Sequence, residues 1–82
     1  MADHEVVTPV PGTFYRSPDP ESAPFKSEGD TVVAGETIGV VEIMKNFQHV
    51  DAQVSGTVLR FLVENEGFVA AGQPVAVVDD GA

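Results

Sequence analysis

Apolar residues in this chain fall in short runs of Val, Ile, Thr and Phe separated by glycines, and over no useful length do they recur at helical spacing. The runs predict strands near residues 6–10, 13–16, 37–43, 47–51, 56–63 and 74–78. Turn signals punctuate them at Glu28-Gly29-Asp30, Ala34-Gly35-Glu36, Asn65-Glu66-Gly67 and Ala71-Gly72-Gln73. The pattern is that of an all-β domain with short strands and tight corners.

The two halves repeat each other. Val32-Val33-Ala34-Gly35-Glu36-Thr37-Ile38-Gly39-Val40-Val41-Glu42 aligns with Val69-Ala70-Ala71-Gly72-Gln73-Pro74-Val75-Ala76-Val77-Val78-Asp79. Upstream, Val10-Pro11-Gly12-Thr13-Phe14-Tyr15-Arg16 aligns with Val54-Ser55-Gly56-Thr57-Val58-Leu59-Arg60. The spacing between these blocks is seven residues longer in the first half, and the surplus lies within the proline-rich segment 17–24. Two equivalent β units packed face to face bury both valine-rich faces in one core, and the extra segment must then protrude. One of the two equivalent corners closes as a hairpin around Met44-Lys45. The other is formed by the two ends of the chain, near Asp79-Asp80.

Lys45 is one of only two lysines, the other being Lys26. A two-residue hairpin loop wants positive φ at its central positions, which favours Asn and Gly over Met and Lys. A register with Lys45-Asn46 central would ease this, since Asn tolerates the left-handed region. Either way the tip breaks a local rule without structural gain, which marks a functional position. Lys45 is read as an attachment point rather than an ordinary solvated turn lysine. Lys26, in a loop after the insertion, is read as solvated.

Composition narrows the chemistry. Eighty-two residues make one domain, read as 6–79 with the insertion at 17–24 and flexible ends at 1–5 and 80–82. Without cysteine there is no disulfide, thiolate metal site or redox couple. His4, expected in a frayed terminus, and His49, expected on a solvent-facing strand, are too isolated to form a zinc site. A net charge of −9 with Arg16, Lys26, Lys45 and Arg60 scattered argues against nucleic acid. No apolar run spans a bilayer and the first residues are not a signal peptide, so a cytoplasmic protein is expected. No nucleophile with a base and no phosphate-cradling loop is visible, so the domain is read as non-catalytic. Phe14, Phe25, Phe47, Phe61 and Phe68 are read as core or loop-base packing. Tyr15, abutting the insertion, is the exception with a potential ligand role.

Glu42-Ile43-Met44-Lys45-Asn46 resembles the Glu-Ala-Met-Lys-Met signature of the biotinyl domains of biotin-dependent carboxylases. Thr8 to Arg16 is similar to the opening block of acetyl-CoA carboxylase carriers, and Ser55-Gly56-Thr57-Val58 to their second-half glycine corner. Residues 17–24 have the place and composition of the "thumb" found in carriers of that type. The likeness runs from Thr8 to Val78, with Ile43 and Asn46 departing from the usual Ala and Met or Leu. It implies a flattened barrel-sandwich of two pseudo-symmetric four-stranded sheets, with a protruding thumb. It further implies biotin attached to Lys45, with Met44 read by a biotin protein ligase. Ser17 would then hydrogen-bond the ureido ring and Tyr15 support the thumb.

The implied role is a carrier that moves a carboxyl group from a biotin carboxylase to a carboxyltransferase, giving malonyl-CoA for fatty acid synthesis. Glu42 and Asp51, placed near the tip, are candidates for docking on basic partners or for plain solvation. An isolated domain of this kind is expected to be a monomer. A lipoyl-type carrier, a carrier of another biotin-dependent carboxylase and an unmodified structural module remain as alternatives.

Overall fold

The computed structural model describes residues 3–19 and 21–81; residues 1, 2, 20 and 82 of the expected termini and thumb lie outside the described residues. The described residues form eight strands: β1 (Asp3–Val7), β2 (Gly12–Tyr15), β3 (Thr31–Val32), β4 (Thr37–Ile43), β5 (Asn46–Asp51), β6 (Gly56–Phe61), β7 (Gly67–Val69) and β8 (Pro74–Asp79). They form two four-stranded antiparallel sheets, ordered β1-β8-β6-β3 and β5-β4-β2-β7. Exchanging the halves maps β1 on β5, β8 on β4, β6 on β2 and β3 on β7, which converts one sheet order into the other. This is the two-sheet sandwich that the repeat predicts.

The repeat holds down to single atoms. The Gly35 N–H donates to Ala52 O and the Ala52 N–H to Glu36 O; in the other half, Gly72 donates to Thr8 O and Thr8 to Gln73 O. Glu36 Oε1 accepts the Val33 N–H at 2.7 Å, as Gln73 Oε1 accepts that of Ala70 at 3.0 Å. Both turns need a left-handed residue, and Gly35 (φ 94°) and Gly72 (φ 80°) supply it. Ladder pairing skips Ile38 in β4 and its counterpart Val75 in β8, and both bulged residues turn fully into the core. The core consists of such repeat partners: Val32 with Val69, Val41 with Val78, Phe14 with Val58. Phe14 is the bulkier of its pair, and Gly39 makes room for it. A Cβ on Gly39 would lie 2.6 Å from the Phe14 ring, whereas the counterpart of Gly39 is Ala76, in the half where Val58 replaces Phe14.

Several boundaries differ from the sequence reading. The first strand covers Asp3–Val7 rather than 6–10, so residues 3–5, expected as part of a flexible terminus, pair with β8. It ends there because the Thr8 side chain is buried and its hydroxyl donates to Val10 O at 2.7 Å, while Pro9 and Pro11 have no N–H to offer a ladder. His4, expected to fray, is held at 2.6 Å from Asp80, within the expected flexible C-terminal end. Strands β3 and β7, two and three residues long, were not predicted individually because such short segments carry no periodicity.

Candidate functional site

Strand β4 turns into β5 with Ile43 paired to Asn46, leaving Met44 and Lys45 as a two-residue loop. The alternative register centred on Lys45-Asn46 is not adopted. Met44 has φ 49° and Lys45 φ 68°, so both central residues are left-handed without being glycine. Each such residue costs on the order of 1–2 kcal/mol, which the flanking ladder must offset. Glu66 is the one other non-glycine residue with positive φ among the described residues. Met44 is 88% exposed and gains nothing from burial there. Ile43, by contrast, packs against the core and anchors the base of the hairpin. Behind it, β2 approaches β4 so closely that a Cβ on Gly12 would lie 2.3 Å from Glu42 O.

A small cleft of about 190 Å³ lies beside the hairpin, lined by Tyr15, Ser17, Pro18, Asp19, Glu42 and Phe47. Glu42 and Phe47 are the second cross-strand pair from the tip, and Tyr15 comes from β2. The Tyr15 hydroxyl donates to Glu42 Oε1 at 3.2 Å, and this bond is the main reason the phenol titrates above its ordinary value. The Tyr15 and Phe47 rings stand 6.5 Å apart, tilted by 49°.

The other wall is the inserted segment. Its ends are clamped by the Phe25 N–H donating to Arg16 O at 2.8 Å. Arg16 is itself fixed by Nη2 donating to Val63 O and by a guanidinium 4.5 Å from the Phe61 ring centroid. Inside the segment Asp19 organises the turn, its carboxylate accepting from the Ser22 hydroxyl at 2.8 Å and the Glu21 N–H at 3.0 Å. These donors, the Ser22 hydroxyl first, hold the Asp19 carboxyl below its ordinary pKa. Ser17 donates its hydroxyl proton to Asp19 O at 3.0 Å, so toward the cleft its oxygen is free to accept.

Lys45 and Met44 thus share the tip, and Ser17 and Tyr15 share the neighbouring cleft. Sequence reasoning did not assign Glu42, Phe47 and Asp19 to this cleft; the alternation along β4 and β5 offered a signal for the first two. Asp51 is not near the tip. It pairs with Thr37 at the other end of the β4–β5 ladder and accepts that residue's hydroxyl at 2.9 Å, because antiparallel pairing around 44–45 carries position 51 away. Lys26 is not freely solvated but donates to Thr31 O at 3.0 Å and pairs with Glu36 at 3.3 Å. Phe68, expected to pack, is 75% exposed. Among the described residues no group of three or more His, Asp or Glu could hold a metal ion, and no helix is long and apolar enough to cross a membrane.

Comparison with known proteins agrees with the fold. A biotin/lipoyl family model, described as "Biotin-requiring enzyme", matches residues 4–78. The chain belongs to this biotin/lipoyl family. The biotin carboxyl carrier protein of acetyl-CoA carboxylase from Nostoc sp. is 42% identical over 71 residues, covering 87% of this chain and 39% of that protein. Its namesake from Pseudomonas aeruginosa is 42% identical over 73 residues, covering 89% of this chain and 47% of that protein. The chain therefore spans less than half the length of these two relatives. Among solved structures, the urea carboxylase of Kluyveromyces lactis aligns with a TM-score of 0.79 at 30% identity, over 96% of this chain and 6% of that one.

Proposed function

We propose that this domain is a biotin carboxyl carrier of the acetyl-CoA carboxylase type, with biotin joined through an amide to Lys45 Nζ. The observation that carries the reading is a lysine on a strained, fully presented two-residue turn, beside a cleft walled by an insertion absent from the other half. Attached there, biotin supplies a ureido nitrogen able to carry a carboxyl group between enzymes, chemistry that no side chain of this domain provides.

The residues present fit that group. The faces of Tyr15 and Phe47 and the ring of Pro18 offer apolar contact. Ser17 Oγ, its proton given to Asp19 O, would be free to accept a hydrogen bond from a ureido N–H. Tyr15, its hydroxyl engaged by Glu42, keeps its ring in place rather than moving a proton. Met44, exposed beside the acceptor, is available for recognition by a biotin protein ligase. A biotin carboxylase and a carboxyltransferase complete the cycle, and the product is malonyl-CoA for fatty acid synthesis. Tethering raises the local concentration of the carried group to the order of millimolar, provided domain and linker allow both visits. The domain is non-catalytic, acts in the cytoplasm, and is monomeric in isolation.

Coexpression with a biotin protein ligase, followed by intact mass and streptavidin capture, tests the reading. The wild-type domain is expected to gain the mass of one biotin, and Lys45→Arg to gain none. A wild-type domain that stays unmodified, or carries the mass of lipoate, overturns it.

A further inference from the structure

The outer face of the β5-β4-β2-β7 sheet carries a straight cross-strand row. Phe47 pairs with Glu42, Glu42 with Thr13, and Thr13 with Phe68. Their sequence neighbours Val41, Phe14 and Val69 point into the core, so alternation turns this row outward. Phe47 is 56% exposed and Phe68 75%, which for phenylalanines is a large apolar area left in water. Phe47 has an explanation, since it walls the cleft. Phe68 lies on the edge strand β7, away from the cleft, and has none.

The repeat provides an internal control. The equivalent row on the other sheet is Asp3, Asp79, Thr57 and Thr31. The same backbone, in the same register, is built there without an aromatic residue. The fold therefore does not require Phe68, and its counterpart Thr31 shows what the position accepts. Aromatic residues and methionine are enriched where proteins meet, and Phe68, Phe47 and Met44 all stand on the sheet that bears the hairpin. The row is also negative. Glu42 sits within it, Glu66 is close enough to act on the Tyr15 phenol, and the row contains no Lys or Arg.

We infer that this row, with Phe68 as its main apolar contact, is the docking surface for the enzyme that acylates Lys45, a biotin protein ligase. The inference rests on the carrier reading. The ligase is the fitting occupant because it must bring its reacting groups to Nζ itself, and so must lie against the hairpin and the sheet beside it. Enzymes that act on the far end of the arm can stand off by the arm's length. From Phe47 to Phe68 the row crosses three strand spacings, roughly 14 Å, which lies within one side of a standard-sized interface. The matching surface on the ligase is an apolar pocket flanked by Lys or Arg.

The test is acylation kinetics with purified ligase, ATP and biotin. Phe68→Thr copies the symmetric position and is expected to keep its melting temperature while raising KM for the domain about tenfold, with kcat changed less than about twofold. Phe68→Leu, which keeps an apolar side chain, is expected within about threefold of wild type. Val33→Ser removes another exposed apolar residue (61% exposed), before the Thr37 end of β4, and is expected to change nothing. As a binding readout, Lys45→Arg domain should inhibit the ligase competitively, and the Lys45→Arg/Phe68→Thr double variant should need about ten times the concentration. Wild-type KM in Phe68→Thr, or equal inhibition by the two competitors, overturns the docking surface while leaving the carrier intact. A wild-type domain that the ligase does not modify overturns both.

Discussion

The two corners related by the internal repeat share a backbone and differ in what they present. At the closed corner Gly12 lies under Glu42 and the chain turns through Met44-Lys45; at the open corner Gly56 lies under Asp79 and the two chain ends meet, with His4 bonded to Asp80. The closed corner carries strain, exposed aromatics and a lysine. The open one carries Asp, Thr and a His–Asp pair. What both keep is what the sandwich needs: a glycine where two strands approach, a bulged apolar residue and a turn glycine. What only one keeps is the candidate function.

The strongest way to break this equivalence is at the two glycines. A Cβ at Gly12 meets Glu42 O at 2.3 Å and one at Gly56 meets Asp79 O at 2.0 Å, both backbone atoms that cannot step aside. Gly12→Ala and Gly56→Ala are each expected to cost about 3 kcal/mol, a fall in Tm of about 15 °C for a domain this size. A loss at only one of them would show that the corners are not held alike.

Relieving the tip is expected to act in the opposite direction. Met44→Asn suits the left-handed position better and should raise stability by about 0.5–1 kcal/mol, a few degrees in Tm, while slowing acylation of Lys45. An unchanged Tm would mean that the positive φ at Met44 stores little strain.

The thumb is the main addition to one half, and deleting 17–24 should change stability by less than about 1 kcal/mol. The ends of the segment are already hydrogen-bonded to each other, and the second half closes the same corner without it. Biotin on Lys45 should become more mobile by NMR relaxation; unchanged mobility would remove the thumb from the site.

The smallest effect is on Tyr15, the single tyrosine in a chain without tryptophan, so its phenolate absorbance is unambiguous. Glu42→Gln should lower its titration midpoint, since the bond to Glu42 is the leading cause of the upward shift. With the folded-state value raised, stability from this pair is present below the ordinary value of 10.0 and is lost as pH rises through the folded-state value. A midpoint unmoved by the substitution would break the assignment of that hydrogen bond.

Much of the architecture was legible because period-two patterning and glycine spacing are local properties that repeat. Strand β4 was read at its observed limits, and the hairpin around Met44-Lys45 followed from two valine-rich runs meeting. The thumb was legible as a length difference between halves. The reading lost accuracy where pairing partners decide: Asp3-His4-Glu5 looks like a solvated end until β8 offers it a ladder. Asp51 was placed near the tip by its proximity in sequence, and antiparallel register carried it away.

The sequence by itself determined the all-β class, the twofold repeat, the inserted segment and the lysine singled out at its closed corner. Each of these is encoded in spacing along the chain. Tertiary structure alone decided which residues share a surface. The cleft joins residues 15 and 17–19 to residues 42 and 47, and the aromatic row joins 47, 42, 13 and 68, through register across strands far apart in sequence. It also decided that Met44 and Lys45 would take left-handed backbone, because the hairpin register was set by the buried face of β4 and by Val50 of β5 and not by the preferences of the two residues in the turn.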